Sequence, residues 1–171
     1  MFDPVRICQI LNEEGVAYVI VGGFASVVHG SSLPTQDIDV VPSRQPDNLE
    51  RLGRALRRMN AMIRTGGDPV SAPIDGPFLA NMAIMLNLVT DLGDVDLTFS
   101  PSGGLGGFDE WSVHALSVEI AEGLSVRIAS LDDIIDSKRA ANRPKDQMAL
   151  PYLESLRDEL RIFVDPELKK G

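Results

Sequence analysis

Apolar and polar positions divide the chain into short segments of two different periods. Asp3-Pro4 reads as an N-cap followed by proline at a first helical position. Val5, Cys8 and Leu11 then share one helical face, and Gly15 supplies the stop. Tyr18-Val19-Ile20-Val21 is an unbroken, β-branched apolar run, the pattern of a buried strand. Gly22-Gly23 breaks it, and residues 24–29 are expected to form a short helix closed by Gly30. After the loop Ser31-Ser32-Leu33-Pro34-Thr35-Gln36, acids alternate with Ile38 and Val40 in a second strand over residues 37–41, ended by Pro42 and Pro46. A helix follows, with Asp47 and Glu50 as its capping pair and Leu49, Leu52, Leu56 and Met59 as its buried stripe.

The second half continues the mixture. Residues 65–77 are rich in Gly and Pro and read as loop. Residues 82–90 and 95–99 form a pair of strands around Asp91-Leu92-Gly93. The glycine-rich stretch 101–107 lacks the Lys-Ser/Thr ending of a P-loop and serves as spacing. A helical turn at 108–114 and short strands at 118–120 and 126–128 come next. Ser130 with Asp133 caps a helix to about residue 141, Asn142-Arg143-Pro144 interrupts it, and a last helix reaches about residue 163. The order is α/β: a mixed sheet flanked by helices, with a helical C-terminal segment. The expected division is a core over 1–129 and a helical segment over 130–171 packed on it.

Composition narrows the class. At 171 residues with 44% hydrophobic and 24% charged content, the chain can bury a core without disulfides. The one cysteine, Cys8, has no internal partner, which fits a reduced, cytoplasmic protein, and its place on an apolar face makes it inert. No apolar run approaches the ~20 residues that span a bilayer, so no membrane association is expected. A net charge of -9 argues against broad non-specific nucleic-acid binding, though not against a local basic patch.

The chemistry concentrates at Asp37-Ile38-Asp39. Side chains two apart on a strand share a face, about 6–7 Å apart, so Asp37 and Asp39 present two carboxylates together. Their repulsion is offset by a divalent cation, and oxygen ligands suit Mg2+. Asp96, within Asp94-Val95-Asp96-Leu97, is the candidate third acid of a two-ion clamp; Asp94 shares its face but lies nearer the turn. Such a clamp suits in-line displacement at phosphorus. The glycines Gly22 and Gly23 let backbone approach a ligand closely, and the helix after them offers free N–H groups to a triphosphate. Ser26 reads either as a phosphate contact or as an ordinary helix residue, and Lys138 either as a partner of the β/γ-phosphates or as a surface lysine.

Gly22-Gly23-Phe24-Ala25-Ser26, a spacer, then Asp37-Ile38-Asp39 resembles the signature of the DNA-polymerase-β-like nucleotidyltransferase superfamily, with Asp96 matching its third acid. Ser130-Leu131-Asp132-Asp133, Lys138-Arg139 and Arg143-Pro144-Lys145-Asp146 are similar to the C-terminal motif of the AbiEii branch, which includes toxins of the MenT kind. The resemblance covers about residues 15–150. It implies a sheet flanked by helices, an NTP substrate, two Mg2+ ions on Asp37, Asp39 and Asp96, and transfer of a nucleotide to RNA or protein. In the toxin branch the acceptor is a tRNA 3′ end and an antitoxin is the protein partner. Relatives often carry a basic residue before the acid pair. This chain has Leu33-Pro34-Thr35-Gln36 there, leaving Thr35, and Arg44 beyond the strand, as contributors to triphosphate grip.

Plainer readings stand beside these. The arginines from Arg51 to Arg64 read as an RNA-facing strip or as the polar side of an amphipathic helix. Arg139 and Arg143 read as substrate contacts or solvated surface, and Asp146 as a catalytic acid or a helix cap. His29, His114 and Trp111 are expected to be structural. The alternatives to an RNA acceptor are a protein hydroxyl, an aminoglycoside-like small molecule, which the acidic charge suits, or a non-catalytic nucleotide-binding module.

Overall fold

The computed structural model describes residues 1–164, so positions 165–171 of the expected C-terminal segment lie outside the described residues. The elements run α1 (Pro4–Glu13), β1 (Tyr18–Val21), α2 (Gly22–Val28), β2 (Asp37–Pro42), α3 (Pro46–Arg58), β3 (Met62–Ile63), α4 (Gly76–Ala80), β4 (Met85–Thr90), β5 (Gly93–Thr98), α5 (Phe108–Val113), β6 (Leu116–Ala121), β7 (Leu124–Ile128), α6 (Leu131–Ala141) and α7 (Pro144–Val164). The strands form one mixed sheet in the order β3-β4-β5-β2-β1-β7-β6. β2 pairs antiparallel with β1 and parallel with β5, which sets the two acid-bearing strands side by side near the middle of the sheet. The expected mixed sheet, with its helices and helical end, is therefore what the chain forms.

Periodicity accounts for most of these elements. The alternation in β2 buries Ile38 and Val40 completely while its acids stay partly accessible. β1, apolar throughout, is buried throughout. Asp3 caps α1 by accepting from the Arg6 N–H at 2.9 Å, and Ser130 caps α6 by accepting from the Asp133 N–H at 3.1 Å. Cys8 is fully buried in the core, and desolvation pushes its thiol up to about 12, which keeps it an unreactive apolar side chain.

Several elements depart from the sequence expectation. α2 begins at Gly22, so the two glycines form its first turn rather than a break before it. α3 begins at Pro46 with Gln45 as an N-cap that makes no side-chain bond; Asp47 sits in the first turn, and the expected Asp47–Glu50 cap does not form. β4 begins at Met85, three residues after the apolar run starts, because residues 82–84 belong to the connection from α4. The stretch read as loop holds an isolated bridge, Ile63↔Val70, and the start of α4, capped by Asp75. Both β3 and α4 are too short to show a period.

A main core joins the sheet to the helices around it, and a smaller cluster of Leu131, Ile135 and Leu153 holds α6 against α7. α7 runs through Pro151 without ending. Among the described residues no helix is long and apolar enough to cross a membrane.

Candidate functional site

The register of three strands assembles the site. Asp39 lies opposite Val21 of β1 and opposite Asp96 of β5, and Asp37 lies opposite Asp94. Partners across a ladder share a face, so all four acids look to the same side of the sheet. Asp37, Asp39 and Asp96 border a cleft of about 640 Å³ between the sheet and the C-terminal helices. The β1–α2 junction and residues 33–36 form one wall, with Gly22, Gly23, Ser26 and Thr35 on it. Lys138, Arg143 and Lys145 stand on the other, beside Ile134, Met148 and Leu153.

Two close fits explain residue choice here. Gly22 has φ +68, and a Cβ on it would overlap the Asp39 carboxylate, so only glycine lets backbone and acid lie this close. A Cβ on Gly23 would come within 2.9 Å of Thr35 Oγ1. That hydroxyl donates to the Asp37 carbonyl at 3.1 Å and to Asp37 Oδ1 at 3.2 Å, tying the loop to the first acid. Ser26 is buried and donates to Gly22 O at 3.1 Å, a bond within its own helix. It borders the cleft with its hydroxyl already engaged.

The electrostatics are those of crowded, partly desolvated acids. Burial, then the charges of Asp37 and Asp96, push the Asp39 carboxyl up to about 7; Lys145 and Lys138 pull the other way. Asp96 is also raised by burial, and Arg64 opposes that. Arg64 Nη2 donates to both Asp96 oxygens, at 2.8 and 3.0 Å, and Nη1 donates to Asp94. Among the described residues no group of three or more His, Cys, Asp or Glu side chains stands arranged to hold a metal. Asp96 is engaged by Arg64 and Asp37 by Thr35. Asp37 and Asp39 themselves fit a hard divalent cation: their donors are all carboxylate oxygens, and the raised Asp39 marks negative charge that nothing nearby fully offsets.

The opposite wall is built on Asp146. It is fully buried in the first turn of α7 and accepts from the Arg143 backbone N–H at 3.2 Å and Arg143 Nε at 2.7 Å, with Lys138 Nζ at 3.5 Å. Burial works against its charge, but these donors more than offset it and hold the carboxyl below its ordinary range. Asp146 is thus both a cap and the anchor of two cleft cations, a double role that neither reading of it alone described.

Other candidates fall elsewhere. Arg44 donates to Met82 O and Ala80 O at 2.9 and 3.0 Å and lies over the Phe99 ring, so its guanidinium is spent on the end of α4 and does not border the cleft. The arginine strip is divided: Arg54 and Arg58 pair with Glu13 and Glu14, Arg57 bonds Ile74 O, and Arg64 faces the acids. Arg139 pairs with Asp136 and Glu154, joining α6 to α7. His29 bonds Ala129 O and His114 bonds Asp133, as structural residues do. Trp111 is buried as expected, yet it borders the cleft, and its indole N–H has no partner among the described residues. Two residues carry roles that sequence reasoning did not assign them: Arg64, read there only as part of the arginine strip, bonds Asp96 and Asp94, and Lys145, named there only within a motif, borders the cleft. The Lys145 signal was its place in the Arg143-Pro144-Lys145-Asp146 motif; Arg64 sits where no period marks a strand.

The chain matches no protein-family model and no curated protein sequence. Its backbone is similar to several solved structures, these three among them. The lincosamide antibiotic adenylyltransferase LnuA, with lincomycin bound, superposes at TM-score 0.59 with 15% identity, over 88% of this chain and 94% of that one. ANT(2″)-Ia, in complex with adenylyl-2″-tobramycin, does so at TM-score 0.53 with 14% identity, over 93% and 95%. TM1012 of Thermotoga maritima, a protein assigned to the nucleotidyltransferases, does so at TM-score 0.51 with 15% identity, over 94% and 96%. With its acid-bearing strands side by side and this likeness along nearly its full described length, the chain has the nucleotidyltransferase fold.

Proposed function

We propose that this protein is a divalent-metal-dependent nucleotidyltransferase that moves an NMP from an NTP to an acceptor hydroxyl. The observation that carries this is the convergence of Asp37, Asp39 and Asp96 beside the Gly22 backbone, on one wall of a cleft whose other wall presents Lys138, Arg143 and Lys145. One wall suits cations, the other suits phosphate, and the reaction needs both.

Asp37, Asp39 and Asp96 are the residues that would hold Mg2+, which supplies charge neutralisation at the phosphates and lowers the pKa of the attacking hydroxyl. The chain's own residues position the reactants. Gly22, Gly23 and Thr35 border the space for the triphosphate, and Ser26 completes that wall as a packed residue. Lys138 and Lys145 border the same cleft, where they would meet the β- and γ-phosphates, with Lys138 steered by Asp146. The acceptor oxygen attacks the α-phosphorus, the bond from that phosphorus to the bridging α–β oxygen breaks, and pyrophosphate leaves. The hydroxyl proton passes to the Asp96 carboxylate, which acts as the general base.

For the acceptor, the AbiEii-type C-terminal motif supports an RNA, a tRNA 3′ end, in a toxin–antitoxin setting with an antitoxin partner. A second reading, a small hydroxylated molecule, is favoured by the net charge of -9 and by the antibiotic ligands of two structural neighbours. Incubation with each α-labelled NTP, Mg2+ and either total tRNA or an aminoglycoside and lincosamide panel separates them. Label on tRNA that Asp39→Ala abolishes supports the first; label on a small molecule alone overturns it. No labelled product from any NTP and acceptor, with pyrophosphate release absent, overturns nucleotidyl transfer itself.

A further inference from the structure

Arg64 lies one residue beyond β3, at the edge of the sheet, and its backbone N–H donates to Asn87 O at 2.9 Å. Asn87 is the β4 partner of Asp96. Asp39, Asp96 and Asn87 thus form one row across β2, β5 and β4, and Arg64 reaches back along it to the middle acid. Its guanidinium bonds both oxygens of Asp96 and also Asp94, a fork geometry that only arginine supplies. The carboxyl side of the cleft is therefore unequal. Asp96 carries its own cation at bonding distance, while among the described residues Asp37 and Asp39 carry none there. The Asn87 side-chain oxygen, on the same row, is buried and has no partner among the described residues.

We propose that Arg64 is a positioning residue that occupies the cation place at Asp96, so that divalent ions load in two unequal steps. The first ion goes to Asp37 and Asp39. The second engages Asp96 only in exchange for Arg64, which Asp94 remains available to hold. This rests on the nucleotidyl-transfer reading of the cleft. Its physical basis is competition: both Asp96 oxygens are engaged by one guanidinium nitrogen, and an incoming ion needs at least one of them. A charge-assisted pair of this kind lowers the apparent affinity of the competing ion by about ten- to a hundredfold.

Free Mn2+ followed by electron paramagnetic resonance, without nucleotide, tests this on the full chain. The wild type is expected to bind one Mn2+ per chain well before a second. Arg64→Met, which keeps the aliphatic stem, is expected to tighten the second step by about ten- to a hundredfold. Asp94→Asn, which leaves Asp96 intact but removes the acid that would hold the displaced Arg64, is expected to weaken that step, and it decides the matter if Arg64→Met does not fold. An unchanged second step in the folded variants, or two equal steps in the wild type, overturns the proposal while a first step lost in Asp39→Ala leaves the underlying reading standing. If neither the wild type nor any variant binds Mn2+, with or without NTP, both fall together.

Discussion

At the scale of single residues the site is a contest between burial and charge, and Asp39 is where it is sharpest. Its carboxyl sits near 7 in the folded chain against about 4 when unfolded. Between those values the folded state binds the extra proton, so stability falls as pH rises through this window and the loss is complete above about 7. Asp39→Asn is therefore expected to raise the melting temperature at pH 8 and to leave it nearly unchanged near pH 4.5. Mg2+ is expected to stabilise the wild type more at pH 8 than at pH 5, because it binds the charged form. Melting curves across pH check both; a flat difference would place Asp39 in a solvated setting. Gly22 sets the complementary limit. A methyl group there meets both a positive φ and the Asp39 carboxylate, so Gly22→Ala is expected to cost about 1–3 kcal/mol in denaturant unfolding and to abolish metal-dependent stabilisation.

At the scale of elements, the α6–α7 corner is a unit that holds one wall of the cleft through a buried acid. Asp146→Asn keeps the shape and removes the charge that Arg143 and Lys138 share. It is expected to destabilise by about 1–3 kcal/mol at neutral pH. Because the folded carboxyl lies below its ordinary range, that stabilisation is present above about pH 4 and is lost as pH falls through the folded value, so the two proteins converge in acid. If the proposed role of Lys138 holds, the same variant raises the KM for NTP more than it lowers kcat. What was legible in the sequence divides at this scale too. β1, β2 and α6 were readable because each carries its own signal: an apolar run, an acid–apolar alternation, a Ser–Asp cap. The pairing of Asp39 with Asp96 was suggested by resemblance and made concrete by parallel register, which no local pattern encodes. Arg64 was read only as part of the arginine strip because β3 is two residues long, and its reach to Asp96 depends on strand order across the sheet. Arg44 misled for the converse reason: its nearness in sequence to the acids said nothing of the α4 carbonyls that claim it.

At the scale of the whole molecule, net charge constrains how any acceptor is held. The chain carries -9, and many of its arginines are engaged by its own acids or carbonyls, Arg54 and Arg58 on α1 and Arg139 and Arg157 around α7 among them. Among the described residues the cations that border the cleft are Lys138, Arg143 and Lys145, with two of them leaning on Asp146. If tRNA is the acceptor, its phosphates meet few positive groups against a repelling background. Each phosphate neutralised contributes a slope of about −0.7 to −0.9 in log K against log salt, so three cations set a limit near −3. tRNA affinity measured by fluorescence anisotropy between 50 and 200 mM salt is expected to be weak and no steeper than about −3, with Lys145→Ala lowering the magnitude by about one. A slope near −6 or beyond would require a further basic surface beyond the three cleft cations of the described residues. A cationic small acceptor behaves differently: the acidic molecule attracts it over a longer range, and its affinity weakens with salt while Lys145→Ala leaves the slope unchanged. The salt dependence of the wild type and of that one variant thus separates the two acceptors by the charge they are attracted to, independently of which product is formed.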